Sequence, residues 1–141
     1  MAPKDPKLEL LRSIPLFAGL GEPAIRRLGQ LADEVGVPAG KVLMRQGENG
    51  AEAFVVSSGR VSVERDGRVI AERGRGDILG EIALLSEGPR TATVTTLEPS
   101  RLFVLGHREF HALMDEHPAI RLQVLDALAR RLRALDIDAA H

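Results

Sequence analysis

Between Gly80 and Val94 the chain sets a carboxylate, Glu81, and a guanidinium, Arg90, on either side of a short apolar run and a glycine–proline turn. The stretch reads Gly80-Glu81-Ile82-Ala83-Leu84-Leu85-Ser86-Glu87-Gly88-Pro89-Arg90-Thr91-Ala92-Thr93-Val94. Gly80 permits a close backbone approach or a dihedral that other residues avoid. Ile82 to Leu85 suffices for about one helical turn. The start of such a turn carries unpaired N–H groups that suit a phosphate. Pro89 stiffens the chain just ahead of Arg90. Strand alternation puts Arg90, Ala92 and Val94 on one face and Thr91, Thr93 and Thr95 on the other. Ala92 and Val94 suit an interior, so Arg90 is expected to point inward with them. A guanidinium buried without a partner is costly, and a phosphodiester satisfies it through paired N–H···O bonds. Glu81 can accept hydrogen bonds from the hydroxyls of a sugar. Two readings follow from the residues: a site for a small ligand with one phosphate and one ribose, or an ion pair of Glu81 with Arg90 across a turn.

Glycine and proline show which elements must hold this stretch. Ten of the 14 glycines fall between Gly36 and Gly88, while the flanks are rich in Leu, Ala and Arg. That distribution predicts helices, then a turn-rich β region, then helices. Lys7 to Ser13 is a short helix, Pro15 to Gly19 a turn, and a second helix opens at Glu22-Pro23, where proline suits the first turn. Ala24, Ile25, Leu28, Leu31 and Ala32 line its apolar face. Strands are expected at Lys41–Gln46, Ala53–Ser57, Arg60–Arg65, Arg68–Glu72, Thr91–Leu97 and Arg101–Leu105, with a short one at Asp77-Ile78-Leu79. Asp66-Gly67 is a two-residue hairpin signal in which both residues need positive φ. Strands this short and regular predict a barrel or jelly roll. His107 to Glu116 is a helix, and a longer one runs from Pro118 to about Asp136. The apolar residues of the long helix (Ile120, Leu122, Val124, Leu125, Leu128, Leu132 and Leu135) cover more than one stripe, so it is expected to pack on the barrel and on something else.

Composition narrows the function further. The 141 residues match one domain, and 44% hydrophobic residues suffice for a core. Lys and Arg number 19 against 20 for Asp and Glu, a formal net charge of −1. That balance gives no support to nucleic-acid binding by bulk charge. The absence of cysteine removes disulfides, thiolate metal sites and thiol nucleophiles. With no Trp or Tyr and four Phe, a stacking platform for single strands is not expected. No segment has the pattern of a secretory signal or the length of a membrane span, so the expected location is the cytoplasm.

The Gly80–Val94 run resembles the phosphate-binding cassette of cyclic nucleotide-binding domains, the family of the catabolite activator proteins, the regulatory subunits of cyclic AMP-dependent kinase and cyclic nucleotide-gated channels. That family's pattern is close to Gly-Glu-(Ile/Leu)-Ala-Leu-Leu, a spacer, then (Pro)-Arg-(Ala/Thr/Ser)-Ala-(Thr/Ser)-Val, and every element is present in order. The likeness extends over about residues 8–135. It takes in Ile14-Pro15-Leu16-Phe17 with Leu20, Pro38 to Leu43 with Gln46-Gly47-Glu48, and Phe54-Val55-Val56 through Ser58-Gly59-Arg60-Val61.

The resemblance implies an α+β fold, an eight-stranded antiparallel β-roll flanked by N-terminal helices and two C-terminal helices. It implies one domain over 1–141: helices over 1–32, the roll over 33–106 with the cassette at 80–92, and hinge and lid helices over 107–137. The implied ligand-binding residues are Leu79, Gly80, Glu81, Ile82, Ala83, Arg90, Thr91 and Ala92. Glu81 would hold the ribose 2′-hydroxyl with help from the Gly80 backbone, and Arg90 the cyclic phosphate. The Ala83 and Thr91 amides would add phosphate contacts. Leu79 stands where relatives often have Phe. Arg130, Arg131 and Arg133 on the long helix are candidates to cover the base. Thr91 sits where a hydroxyl favours cyclic GMP in some relatives; cyclic AMP is nevertheless the expected ligand, cyclic GMP the alternative.

The expected function is a non-catalytic sensor that transmits occupancy through the C-terminal helix to an effector protein, with a homodimer formed through that helix. The alternative is a degenerate copy of the fold acting only in dimerisation or protein contact. A metal-dependent barrel enzyme is a third class, but no His precedes His107. His107 and His111 have the i, i+4 spacing of metal ligands, yet the His-Glu-x-x-His order is absent and a surface pair is expected. The chain ends at His141, which leaves no room for a helix-turn-helix after the long helix, so it is not expected to bind DNA on its own. No catalytic residue, metal or cofactor is expected.

Overall fold

Asp5 opens the first helix. Its carboxylate accepts from the amides of Lys7 at 2.9 Å and Leu8 at 3.4 Å, filling donors that a helix start leaves unpaired. Helix α1 then runs Pro6–Ser13 and α2 runs Glu22–Leu31, with Pro23 in its first turn. The computed structural model describes residues 5–139, except for the side chains of residues 131 and 134–139. Leu10 and Leu11 of α1 and Ala24, Ile25 and Leu28 of α2 are buried together with Ile14 and Phe17 from the connecting turn.

The middle of the chain is antiparallel throughout. One four-stranded sheet has the order β1 (Asp33–Val37), β10 (Ser100–Gly106), β4 (Glu52–Ser58), β7 (Ile78–Leu79). A second has the order β2 (Val42–Met44), β9 (Thr93–Thr96), β5 (Arg60–Arg65), β6 (Arg68–Gly74). These are the strands of the expected α+β β-roll. A small ribbon of β3 (Asn49–Gly50) and β8 (Gly88–Pro89) adds to them. The Asp66-Gly67 turn has φ of 53° and 79°, as its hairpin requires. Gln46 fastens this turn: its side-chain amide donates to Asp66 Oδ1 and its carbonyl oxygen accepts from the Asp66 amide, both at 2.9 Å.

Alternation on the central strands divides the interior in two. Ala53 and Val55 of β4 and Phe103 and Leu105 of β10 face the helices. Phe54 and Val56 of β4, Leu102 of β10, Val61, Val94 and Met44 fill the roll. A strand buried on both faces reads as a continuous apolar run, which is how Ala53–Val56 is written. Leu79 belongs to the roll interior and Leu84 to the helical core. The cassette is therefore pinned in both.

Several expectations are corrected. Asp33–Val37, where no individual strand is expected, forms a largely exposed edge strand through its backbone ladder to β10. The strand expected at Lys41–Gln46 shortens to Val42–Met44, and that at Thr91–Leu97 to Thr93–Thr96. The second shortening has a cause. Arg90 N donates to Glu48 O at 2.8 Å and Arg90 O accepts from Gly47 N at 2.9 Å, so the chain must bend at Thr91-Ala92 before joining β9. The alternation itself holds: Ala92, Val94 and Thr96 are buried. Thr96 is tolerated inside because its hydroxyl donates to Pro38 O at 2.6 Å and accepts from Lys41 N at 2.8 Å.

Helix α3 (His107–Glu116) packs Phe110, Leu113 and Met114 into the helical core. Helix α4 (Ala119–Ala139) buries Ile120 and Val124, while Leu122, Leu125 and Leu132 are exposed. Leu135 lies among the undescribed side chains. No helix of the described residues is long and apolar enough to cross a membrane.

Candidate ligand-binding site

The cassette folds as a tight turn on a glycine hinge. Gly80 has φ 71° and ψ 26°, the left-handed region where a side chain is strained. A single 3-10 turn, Glu81–Leu84, follows where a turn over Ile82–Leu85 was expected. Leu84 is fully buried and Ile82 is 60% exposed, so the turn is anchored by one residue and shows another to solvent. The Ala83 amide, expected to face a phosphate, donates to Gly80 O at 3.0 Å and so closes the turn. The Ala83 carbonyl lies 2.8 Å from His107 Nδ1, which ties the cassette to the start of α3.

The eight cassette residues selected from sequence meet at one cavity. Leu79, Gly80, Glu81, Ile82, Ala83, Arg90, Thr91 and Ala92 line a volume of about 540 Å³ between the cassette and the β5–β6 hairpin. That is within the range of small-molecule sites. Arg65 and Arg73 from the hairpin also line it, as do Glu87 and Ile70. Sequence reasoning missed the two arginines, because only the closure of the hairpin over the cassette brings them near Arg90. Arg65 Nε donates to Thr91 O at 3.0 Å and so fixes the bend beside Arg90.

Arg90 is one of three arginines that line the cavity. Its Nη1 donates to the backbone carbonyl of Glu52 at 2.7 Å, a neutral partner. The hydrogen bond described for its side chain is this one, to a carbonyl and not to a carboxylate. Burial holds the Arg90 guanidinium below its ordinary value, and the Glu52 carboxylate partly offsets this. A partly desolvated cation supported by one carbonyl is suited to an anion that brings its own charge.

A second cavity, of about 670 Å³, adjoins the first. The two share Arg73, Ile78 and Glu81, and the second is bounded by Leu16 and Gly19 of the N-terminal turn and by Gln123, Asp126 and Arg130 of α4. Of the three arginines expected near the base, Arg130 lines this second cavity and pairs with Asp126 at 2.8 Å. Arg133 is exposed, and the Arg131 side chain lies outside the described residues.

The two histidines, expected as a surface pair, are half-buried and packed on one another. His107 spends Nδ1 on the Ala83 carbonyl, and its ring stacks on His111 with centroids 4.1 Å apart and planes tilted by 36°. Among the described residues no cluster of three or more His, Asp or Glu side chains could hold a metal ion.

The family described as "Cyclic nucleotide-binding domain" matches residues 34–117, the roll, the cassette and α3. The chain belongs to the cyclic nucleotide-binding domain family. Among relatives of this domain, a CRP-like cAMP-activated global transcriptional regulator of Mycobacterium tuberculosis is 32% identical over 130 residues, 89% of this chain. The chain spans 58% of that relative's length. Among solved structures, the N-terminal domain of a transcriptional regulator from Streptomyces coelicolor superposes with a TM-score of 0.83 at 35% identity, covering 92% of this chain and 93% of that one. The regulatory domain of Toxoplasma gondii PKA, co-crystallised with cAMP, superposes with a TM-score of 0.73 at 33% identity over 79% of this chain and 46% of that one. The cyclic nucleotide-binding domain thus accounts for the two-sheet roll and for the cassette turn that the roll carries.

Proposed function

We propose that this domain is a non-catalytic cytoplasmic sensor that binds a cyclic mononucleotide, cyclic AMP over cyclic GMP, in the cavity at Arg90. Arg90 pairs with the cyclic phosphate, and Glu81 accepts a hydrogen bond from the ribose 2′-hydroxyl. The observation that supports this reading is the partly buried Arg90 guanidinium, held at the wall of a nucleotide-sized cavity by a neutral carbonyl. The preference for cyclic AMP is supported by the names of the relatives, one cAMP-activated and one solved with cAMP.

Occupancy is transmitted through α4. A ligand seated at Glu81 lies at the junction of the two cavities, and α4 forms the far wall of the second. The ligand shifts α4 only by binding one placement of that helix better than another. Leu122, Leu125 and Leu132 leave an apolar stripe on α4 at heptad-like spacing, which supports pairing with a second copy of the chain. The effector protein is reached from that assembly.

Calorimetric titration with cyclic AMP, cyclic GMP and 5′-AMP tests the proposal. Cyclic AMP should bind most tightly. Arg90→Ala should weaken it by about 2 kcal/mol or more, the worth of a charge-assisted pair. An unchanged affinity in that variant removes Arg90 from the role. Silence with all three compounds leaves the degenerate, contact-only reading.

A further inference from the structure

Gly50 does not owe its place to its backbone. It lies in β3, paired with Gly88 of β8, and its φ is outside the left-handed region. A Cβ built there would overlap Arg90 Nε and Cζ and lie 2.6 Å from Nη2. A Cβ on Gly80 would lie 2.6 Å from Nη1. The guanidinium thus occupies a slot between two residues that have no side chains, with Nη1 fixed on the Glu52 carbonyl at 2.7 Å. The same segment holds the Arg90 backbone, through Arg90 N to Glu48 O and Gly47 N to Arg90 O. We infer that Gly50 is a positioning residue for Arg90: its missing side chain leaves the space that aims the guanidinium into the cavity, and the Gly47–Glu52 segment acts as the mould for the anion-binding arginine.

This inference rests on Arg90 being the phosphate anchor. Gly50 is a better probe of the slot than Gly80. At Gly80 a methyl group would strain a left-handed backbone and meet Met44 Cε at 3.0 Å and the Glu52 carbonyl at 3.1 Å as well. At Gly50 the three nearest atoms all belong to Arg90, the outer part of a flexible side chain that can swing aside. Gly50→Ala should therefore fold and misplace Arg90.

The test has two arms on the full chain. In the first, without nucleotide, the Arg90 Nε–H signal is assigned by its loss in Arg90→Lys. It should shift in Gly50→Ala while backbone amide signals of the roll strands stay in place. An Nε–H signal unmoved in Gly50→Ala overturns the slot. In the second arm, calorimetry with cyclic AMP should show Gly50→Ala binding about tenfold or more weaker. In an Arg90→Ala background the same substitution should change affinity by less than about twofold, since residues acting through one another are not additive. Equal losses in both backgrounds make Gly50 merely structural and overturn the proposal. If the unmodified chain binds no cyclic AMP, the phosphate reading of Arg90 fails, and the proposed purpose of the slot fails with it. The first arm then still decides whether Gly50 places the side chain.

Discussion

Arg90 has lost part of its water and gained a single carbonyl in return, while Glu81 stands at the first position of the neighbouring turn. Separate roles for the two make separate predictions. If Glu81 accepts from the 2′-hydroxyl, Glu81→Ala should weaken cyclic AMP by about 1.5–3 kcal/mol, the range for a hydrogen bond to a charged group. It should leave 2′-deoxy cyclic AMP almost untouched. Calorimetry with both compounds checks this, and equal losses contradict the ribose assignment. Arg90→Ala, by contrast, should weaken both compounds alike, since both carry the phosphate.

At the scale of elements, the cassette turn sits between two cores. Leu79 enters the roll, Leu84 enters the helical core, and His107 reaches the Ala83 carbonyl from the start of α3. A displacement of the turn is therefore felt by α3 and the helices packed on it. The junction of α1 and α2 contributes an electrostatic element of its own. Glu22, in the first turn of α2, pairs with Arg12 of α1 and with Arg26 one turn on. Arg12 first, then Arg26, hold its carboxyl below the ordinary value. A carboxyl depressed in the folded state stabilises above its unfolded pKa, and that contribution is lost as pH falls through the folded value. The pair is exposed, so the effect should be small. Urea unfolding should separate the native protein from Glu22→Gln at pH 7, and the gap should narrow as acid protonates the Glu22 carboxyl in the folded state. A gap that persists in acid would mean that Glu22 acts by packing instead.

For the whole molecule, the N-terminal helices and α3 come together beside the roll. Phe17 of the N-terminal turn meets Phe110 of α3 with ring centroids 6.0 Å apart, and Arg27 of α2 pairs with Glu116 at the end of α3. Ile120 and Val124 then seat the first turns of α4 and Leu128 packs against the same core, while on another face Leu122, Leu125 and Leu132 are 72%, 61% and 65% exposed. Such a stripe on one helix favours a second helix of the same kind. Sedimentation should therefore find a dimer at micromolar concentration, and Leu125→Asp should shift it to a monomer without loss of the thermal unfolding transition. A monomeric native chain contradicts pairing through α4.

Much of this molecule was legible in the sequence because its signals are local. The Asp66-Gly67 turn, the Pro23 helix start, the inward Ala92 and Val94 and the Gly80 hinge each depend on neighbours a few residues away, and backbone sterics and side-chain alternation act at that range. The order of Glu81 and Arg90 in the cassette likewise sufficed to choose residues that meet at one cavity. The edge strand β1 was hidden because its alternation is only Val35 and Val37 around a glycine, on a largely exposed strand that its ladder to β10 defines. The slot around Arg90 was hidden for a related reason. Gly50 and Glu52 lie far along the chain from Arg90, and what they supply is an absent side chain and a backbone carbonyl, which have no residue-type signature until the β3–β8 ribbon brings them together. Residue types along the chain therefore determined which groups could bind an anion. Packing between distant segments decided how the cation is held and in which direction it points.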